Sequence, residues 1–232
     1  MQETVASGAL AHERLRRAIV RLELAPGTAV SEARLVEEFG FSKAAVRAAL
    51  ARLRAEGLVV AEPRRGHLIA PLTMRDVLEI YELRLQLEPP AAAAAAGRIE
   101  GRELARLRAL AEPEVEFDDP LSVERFMSAN RAIHLAIATA AGNRRAAQVV
   151  ERLLDDSERA RLLALRSGAA SRGVRARAEL RDVLDALDAG DGRRAAELMA
   201  MAIGAFRDEL VDALQTAALD LPLSGLAGGG EA

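Results

Sequence analysis

The chain has 232 residues, of which half are hydrophobic and only 3 % are aromatic. This length leaves room for two domains, and the abundance of Ala and Leu favours helix over sheet. The absence of cysteine excludes a disulfide framework and a thiolate metal site. The N-terminus lacks the apolar segment of a secretory signal, and no apolar run approaches the roughly 18 residues of a membrane span. We therefore expect a cytoplasmic protein without a membrane partner.

The net charge of −3 is distributed unevenly along the chain. Residues 1–72 contain 11 basic and 8 acidic side chains, whereas the remainder contains 21 basic and 27 acidic ones. A phosphate-binding surface requires such a local excess of positive charge. The overall acidity therefore does not exclude DNA binding by the first third of the chain.

Two short amphipathic helical patterns lie on either side of Gly40. Ser31 and Ser42 precede them as candidate N-caps, because a serine oxygen can accept a hydrogen bond from a free N–H of the first turn. One face of the second pattern is apolar, and another carries Lys43 and Arg47 with alanines between them. Small residues let a helix approach base edges, while Lys and Arg donate to phosphates and guanine. The pattern predicts a helix-turn-helix; the alternative is a solvated basic face in a small bundle.

A strand, a turn and a second strand follow these helices. Residues 58–61 and 67–70 are rich in β-branched and other apolar side chains and flank the turn EPRRG at 62–66. Arg64 and Arg65 at the turn suit a contact to phosphate or to the minor groove, although surface loops often carry such pairs. Helix-turn-helix and hairpin together predict a winged helix, a module that reads double-stranded DNA.

From residue 73 onward the pattern is almost wholly helical. Apolar periodicity and start and stop signals predict helices at 73–97, 101–111, 120–141, 144–166, 170–189 and 191–218. Thr73 and Asp191 are candidate helix starts, and the candidate stops are Gly97, Gly142, Gly168 and Gly190. Pro89 and Pro90 should kink or split the first of these helices, because proline removes a backbone hydrogen bond.

The expected fold class is mainly α, with an N-terminal winged helix-turn-helix, a small β-hairpin wing and a C-terminal all-helical bundle. The expected domains are a DNA-binding domain at 1–72, an effector-binding and dimerisation domain at 73–220, and a disordered tail at 221–232.

The first third of the chain resembles the GntR family of bacterial transcription regulators. Residues 42–50 (SKAAVRAAL) are similar to the family's recognition helix S-R-T-P-V-R-E-A-L, and residues 56–59 (EGLV) match its E-G-L-V. The resemblance implies that the DNA contacts include Arg34, Lys43, Arg47 and Gly66. To these the local pattern adds Ser42, Arg64 and Arg65. The departures, Lys43 for Arg, Ala44-Ala45 for Thr-Pro and Ala48 for Glu, bear on which operator is read.

The helical part resembles the ligand-binding domain, of FCD type, found in the fatty-acid-regulator branch of that family. Residues 81–89 (YELRLQLEP) are similar to its Y-x-x-R-x-x-L-E, and residues 130–134 followed by 141–143 are similar to its D-x-x-F-H…A-G-N. Many members of this branch bind a divalent metal through one aspartate and three histidines. Carried over by position, these ligands are here Asn130, His134, Leu180 and Ala202. A metal needs about three good protein ligands, and His134 alone is one, so we expect neither a metal nor another cofactor.

The effector-binding candidates are Arg84, Asn130 and His134. Asn130 and His134 are four residues apart and share a helix face, and Arg84 can meet a carboxylate bidentately. The alternatives are an internal ion pair between Arg84 and Glu88, one helical turn away, and a core histidine with satisfied hydrogen bonds. The effector is expected to be a carboxylate or an apolar metabolite.

These patterns predict a homodimeric regulator, most simply a metabolite-responsive repressor, that binds a palindromic operator. We expect no enzymatic activity, because the sequence contains no phosphate loop, His-rich motif or nucleophile elbow. Two alternatives remain open. One is a constitutive DNA-binding regulator with a degenerate pocket that senses nothing, and the other is a helical enzyme with an appended DNA-binding domain.

Overall fold

A computed structural model describes residues 2–62, 66–112, 119–166 and 173–220. The chain divides into two compact units, Met1–Thr73 and Met74–Ala232. The expected tail at 221–232, the wing-tip residues Arg64 and Arg65 and the expected helix stop Gly168 lie outside the described residues.

The first unit is built on helices α1 Gln2–Val20, α2 Glu32–Phe39 and α3 Lys43–Ala55. Helix α1 packs against α3, and α2 packs against α3 from another side. Apolar residues at helical spacing form the common core, among them Leu15, Ile19, Leu35, Val46, Leu50 and Leu53. The apolar stripe predicted for α3 is therefore its buried face.

The ends of α2 and α3 confirm the predicted caps. Ser31 Oγ accepts the backbone N–H of Arg34 at 3.1 Å, and Ser42 Oγ accepts that of Ala45 at 3.2 Å. Gly40 ends α2 with a φ of 72°, a left-handed conformation that glycine adopts without a steric cost.

The described strands of the first unit are β1 Ala29–Val30, β2 Val59–Glu62 and β3 Gly66–Ile69. They form an antiparallel sheet in the order β1-β3-β2, in which Val30 pairs with His67 and Val59 with Ile69. The predicted wing hairpin is confirmed with a shift of one residue in each strand. Strand β1 was not predicted from the sequence, since a two-residue strand has no periodicity of its own.

The second unit consists of helices, which are α4 Met74–Ala95, α5 Gly101–Ala111, α6 Pro120–Ala140, α7 Arg144–Arg166, α8 Gly173–Asp188 and α9 Gly192–Asp220. The sequence placed each of these to within three residues at either end. Gly97, Gly142 and Gly190 follow helix ends in the left-handed conformation, as their role as stops predicts. Asp191 accepts the backbone N–H of Arg194 at 2.9 Å and so caps α9. Among the described residues, no helix has the length and apolarity needed to cross a membrane.

The sequence predicted a kink or a split at Pro89 and Pro90, and the helix is not split there. Helix α4 runs through both prolines to Ala95. It packs against α9, α7 and α6, and Pro89 itself is buried. This packing offsets the backbone hydrogen bonds that the two prolines remove.

Candidate nucleic-acid interface and effector cavity

Helix α3 has two faces of opposite character. One is buried in the core of the first unit. The other is exposed and consists of basic and small residues, namely Lys43, Ala44, Arg47, Ala48, Ala51 and Arg54. Such a face can lie close to a nucleic acid and offer cationic donors to it.

Arg47 is held in place by Glu32, the first residue of α2. Its Nε and Nη2 donate to the two carboxylate oxygens of Glu32, both at 2.9 Å. The hydrogen bond from Arg47 lowers the pKa of Glu32. Desolvation opposes this shift, and the charges of Arg47 and Lys43 add to it. Sequence reasoning missed Glu32, because an acid in the first helical turn is ordinary on its own.

The other expected DNA contacts of the helices occupy the exposed surface of the same unit. Lys43 forms no ion pair with another described residue, and its charge acts on Glu32. Arg34 donates from Nε to Glu38 on its own helix at 3.3 Å. Ser42 is exposed, and its hydroxyl caps α3, so it stabilises the start of that helix.

Gly66 begins the second wing strand in a conformation suited to glycine. Its φ is 89°, and a Cβ at this position would lie 3.1 Å from the carbonyl oxygen of Val30. The backbone of β3 thus passes close to β1 at the base of the wing. The predicted contacts Arg64 and Arg65 precede it, outside the described residues.

In the second unit, Arg84 and His134 meet around a buried carboxylate. Arg84 Nε donates to Glu88 Oε1 at 2.6 Å and Nη1 donates to Ser157 Oγ at 3.3 Å. His134 Nδ1 is hydrogen-bonded to Glu88 Oε2. Because a carboxylate only accepts, Nδ1 carries the proton, which leaves Nε2 for another partner. Of the two roles considered for Arg84, the ion pair with Glu88 is present.

The electrostatics of this cluster favour an ionised Glu88. Burial opposes the charge, but Arg84 and His134 lower the pKa of the carboxyl to about 2. The Arg84 and Glu88 side chains are 4 % and 2 % exposed, so water contributes little screening. The cluster joins α4, α6 and α7 by short polar contacts.

Another buried arginine, Arg161 of α7, was not anticipated. Its guanidinium lies over the rings of Phe126 and Phe206, at 4.7 and 4.1 Å from their centroids. Burial lowers its pKa to about 10. Long-range packing of this kind leaves no local sequence signal.

The positions carried over from the family's metal ligands converge on one small cavity. Asn130, His134, Leu180 and Ala202 all line it, together with Arg84, and its volume is about 10 Å³. Of the side chains that line it, only His134 and Glu179 are good ligands for a first-row metal, which needs about three, since Leu and Ala offer no donor and Asn offers a weak neutral one. The residues present therefore do not fit the metal of that branch.

A much larger cavity, of about 510 Å³, lies between α5, α6 and α8. Its wall is mainly apolar and includes Leu110, Leu121, Phe126, Ile133 and Leu180. Asn130 and Leu180 line both cavities and so form the partition between them.

A winged helix-turn-helix with a basic exposed face, followed in the chain by a helical domain with cavities, defines the class of DNA-binding regulators. Family models agree with this class. The model of "Bacterial regulatory proteins, gntR family" matches residues 9–69, and that of the "FCD domain" matches residues 79–205. The chain belongs to the GntR family, in the group that carries an FCD domain.

Curated relatives are regulators as well. The HTH-type transcriptional regulator YdhC of Bacillus subtilis (strain 168) is 28 % identical over 145 residues, which are 62 % of this chain and 65 % of that protein. The HTH-type transcriptional repressor GlaR of Escherichia coli (strain K12) is 26 % identical over 156 residues, 66 % of this chain and 71 % of that protein. The chain thus spans slightly less than two thirds of YdhC.

Solved structures share the fold. E. coli McbR/YncC superposes with a TM-score of 0.73 at 21 % identity, covering 88 % of this chain and 96 % of that one. A putative GntR regulator from Rhodococcus sp. RHA1 gives 0.69 at 21 % identity, covering 90 % and 98 %. The predicted family and fold class are confirmed. The family to which the chain belongs, and its curated relatives, are transcription regulators rather than enzymes.

Proposed function

We propose that the protein is a homodimeric repressor that binds a palindromic operator and releases it when a small molecule binds the helical domain. Two recognition helices in one dimer reach half-sites about 34 Å apart, one turn of DNA. The effector lowers operator affinity if it binds better to a helix arrangement that changes this spacing.

The exposed face of α3 is the observation that carries the DNA-binding part of the proposal. Lys43 and Arg47 project from it, and the alanines between them leave room for base edges. Arg34, Ser42 and Gly66 supply further contacts from the same unit, and Arg64 and Arg65 reach phosphates or the minor groove from the wing.

An operator selected from a random duplex library by the full-length protein provides the test. We expect Arg47→Ala to weaken operator binding roughly 5- to 150-fold, the value of one good base contact. Arg17→Ala is the matched control, because Arg17 is an exposed arginine of α1. Equal affinity of the two variants, with unchanged circular dichroism, would refute the role of α3. Analytical ultracentrifugation tests the dimer.

The effector part of the proposal rests on the cavities of the helical domain. Asn130 lines both cavities, and Arg84 and His134 line the small one. These three side chains are therefore the proposed effector contacts. The internal pairing of Arg84 with Glu88 favours a second candidate, a constitutive regulator whose pocket senses nothing. Operator affinity that no bound small molecule changes would select that candidate.

A further inference from the structure

We propose that the helical domain binds an uncharged, mainly apolar small molecule in the cavity between α5, α6 and α8, with Asn130 as its hydrogen-bonding anchor. This inference rests on the proposed function, because it assigns the site and the chemical class of that regulator's effector.

The size and lining of this cavity fit a small molecule. At about 510 Å³ it lies within the range of about 300–1,000 Å³ that is usual for ligand sites, which are mostly apolar with a few polar groups. Apolar side chains from three helices face it, including Leu110 of α5, Ile133 of α6 and Leu180 of α8. A ligand there touches all three helices at once.

The neighbouring cavity leaves no room for an effector. Its volume of about 10 Å³ is about that of one water molecule. Arg84, which also lines it, already uses its charge on Glu88. A ligand carboxylate in this small cavity would compete with the carboxylate of Glu88, which is already bonded to Arg84 and His134.

Asn130 is a polar group without a partner on the wall of the larger cavity. It is half-buried on α6, and its carboxamide makes no hydrogen bond to another described residue. Because Asn130 is half-buried and lines the cavity, its amide is open to a hydrogen bond from a ligand. A ligand with one hydroxyl, carbonyl or amide group beside Asn130 satisfies it, because an amide both donates and accepts.

The charges at the cavity favour an uncharged ligand. Arg106 gives two short hydrogen bonds, of 2.8 and 2.7 Å, to Glu103. Arg125 is 70 % exposed and 3.5 Å from Asp119, and the remaining charged residue of the wall is Glu124. Arg161 lies over Phe126 and is not part of the wall. A carboxylate would therefore lose its hydration without gaining a buried cation.

A matched pair of probes tests the class of ligand on the full-length protein. 2-Naphthol and 2-naphthoate have the same ring system and differ in charge. We expect titration calorimetry to show 2-naphthol binding at least tenfold more tightly than 2-naphthoate. Tighter binding of 2-naphthoate, or no binding of either probe at millimolar concentration, overturns the inference.

Two variants test the place. Ala129→Phe fills the cavity from α6 and should weaken 2-naphthol binding at least tenfold, whereas Ala94→Phe on an exposed position of α4 should not. If Ala129→Phe fails to fold, Asn130→Leu decides, with an expected loss of about tenfold for one hydrogen bond. Its control is Gln148→Leu, which removes an exposed amide of α7. Binding that survives Ala129→Phe or Asn130→Leu in a folded protein refutes the assigned site.

Operator binding without any probe separates this inference from the proposed function. A wild-type protein that selects no operator refutes the proposed function, whatever the probes do. If the protein binds its operator but 2-naphthol does not bind in the cavity, the inference is refuted and the proposed function is not.

Discussion

Glu32 at the start of α2 and Arg47 on the exposed face of α3 are joined by two parallel hydrogen bonds of 2.9 Å. The carboxylate occupies Nε and one side of Nη2, so Nη1 and the other N–H of Nη2 remain for DNA. Glu32 therefore sets the direction of the guanidinium and cancels part of its charge. With α3 as the proposed recognition helix, both effects would bear on how strongly the protein distinguishes its operator from other DNA.

We expect Glu32→Gln to raise affinity for scrambled DNA and to reduce discrimination in favour of the operator. Loss of one negative charge beside phosphates should tighten non-specific binding by roughly threefold to tenfold. Fluorescence anisotropy with operator and scrambled duplexes at one salt concentration measures both. Glu37→Gln, which removes an exposed acid elsewhere on α2, is the control. If the two variants change the operator-to-scrambled ratio equally, the contact with Arg47 does not set specificity.

Gly66→Ala should destabilise the DNA-binding unit through the wing. An alanine there must adopt a φ near 89° and place its Cβ 3.1 Å from the carbonyl oxygen of Val30. A left-handed conformation alone costs a non-glycine residue about 1–2 kcal/mol. Gly57→Ala is the matched control, since its φ is 78° but nothing lies within 4 Å of its Cβ. Urea denaturation should show a larger loss of unfolding free energy for Gly66→Ala than for Gly57→Ala. An equal loss would mean that the wing backbone shifts away from the added Cβ at no cost.

Glu88→Gln should destabilise the helical domain at neutral pH and flatten its acid dependence. Removing this carboxylate leaves Arg84 buried without its counter-charge, which costs about 3–5 kcal/mol in similar cases. The carboxyl has a pKa of about 2 in the folded chain against an ordinary value of 4.5. Its stabilisation is therefore complete above pH 4.5 and is lost as the pH falls from there towards 2, and it amounts to about 3 kcal/mol.

Chemical denaturation of both proteins between pH 7 and pH 2 measures this effect. The difference between the two unfolding free energies should shrink as the pH falls below 4.5. Glu103→Gln serves as the control, because Glu103 also pairs with an arginine but lies on the surface. A wild-type protein whose stability advantage over Glu88→Gln stays constant down to pH 2 would contradict the assignment.

The helix caps and helix bounds of this protein were predictable because they depend on residues close together in sequence. Ser31, Ser42 and Asp191 cap helices because their side-chain oxygens accept a backbone N–H of the first helical turn. Helices in the second unit are long, and α4, α6 and α8 are followed by glycines, so apolar periodicity and stop signals predicted their bounds closely. Strand β1 and the continuity of α4 through Pro89 depend on packing partners distant in sequence, which local patterns do not contain.

In the candidate sites, too, features set by nearby residues were predictable and features set by distant packing were not. The basic face of α3 was predictable from helical spacing, and so was the Arg84–Glu88 pair, one turn apart on α4. The contact of Arg47 with Glu32, 15 residues earlier, required knowing how α2 meets α3. The volumes of the two cavities depend on how α5, α6 and α8 pack, and no residue pattern states them.

The last prediction concerns the positions of the family's metal ligands. Asn130, His134, Leu180 and Ala202 line one cavity, as the carry-over requires, yet three of them lack the ligand side chain. His134 keeps a feature of metal-binding histidines, because its Nδ1 donates to the carboxylate of Glu88 and leaves Nε2 available. The native protein should therefore be metal-free, while a variant with the three ligands restored should bind metal.

We expect the triple variant Asn130→Asp, Leu180→His and Ala202→His to bind zinc with a Kd in the micromolar range or tighter, because one carboxylate and three imidazoles form a complete ligand set. Elemental analysis after dialysis against a chelator, on protein purified without a histidine tag, measures the metal content, and titration calorimetry measures the affinity. His134→Ala added to the triple variant is the matched control and should abolish tight binding. Near-stoichiometric metal in the native protein, lost on His134→Ala, would show that other residues complete the site. A triple variant that binds zinc no better than its His134→Ala control would show that the four positions, although they line one cavity, do not direct their side chains to a common point.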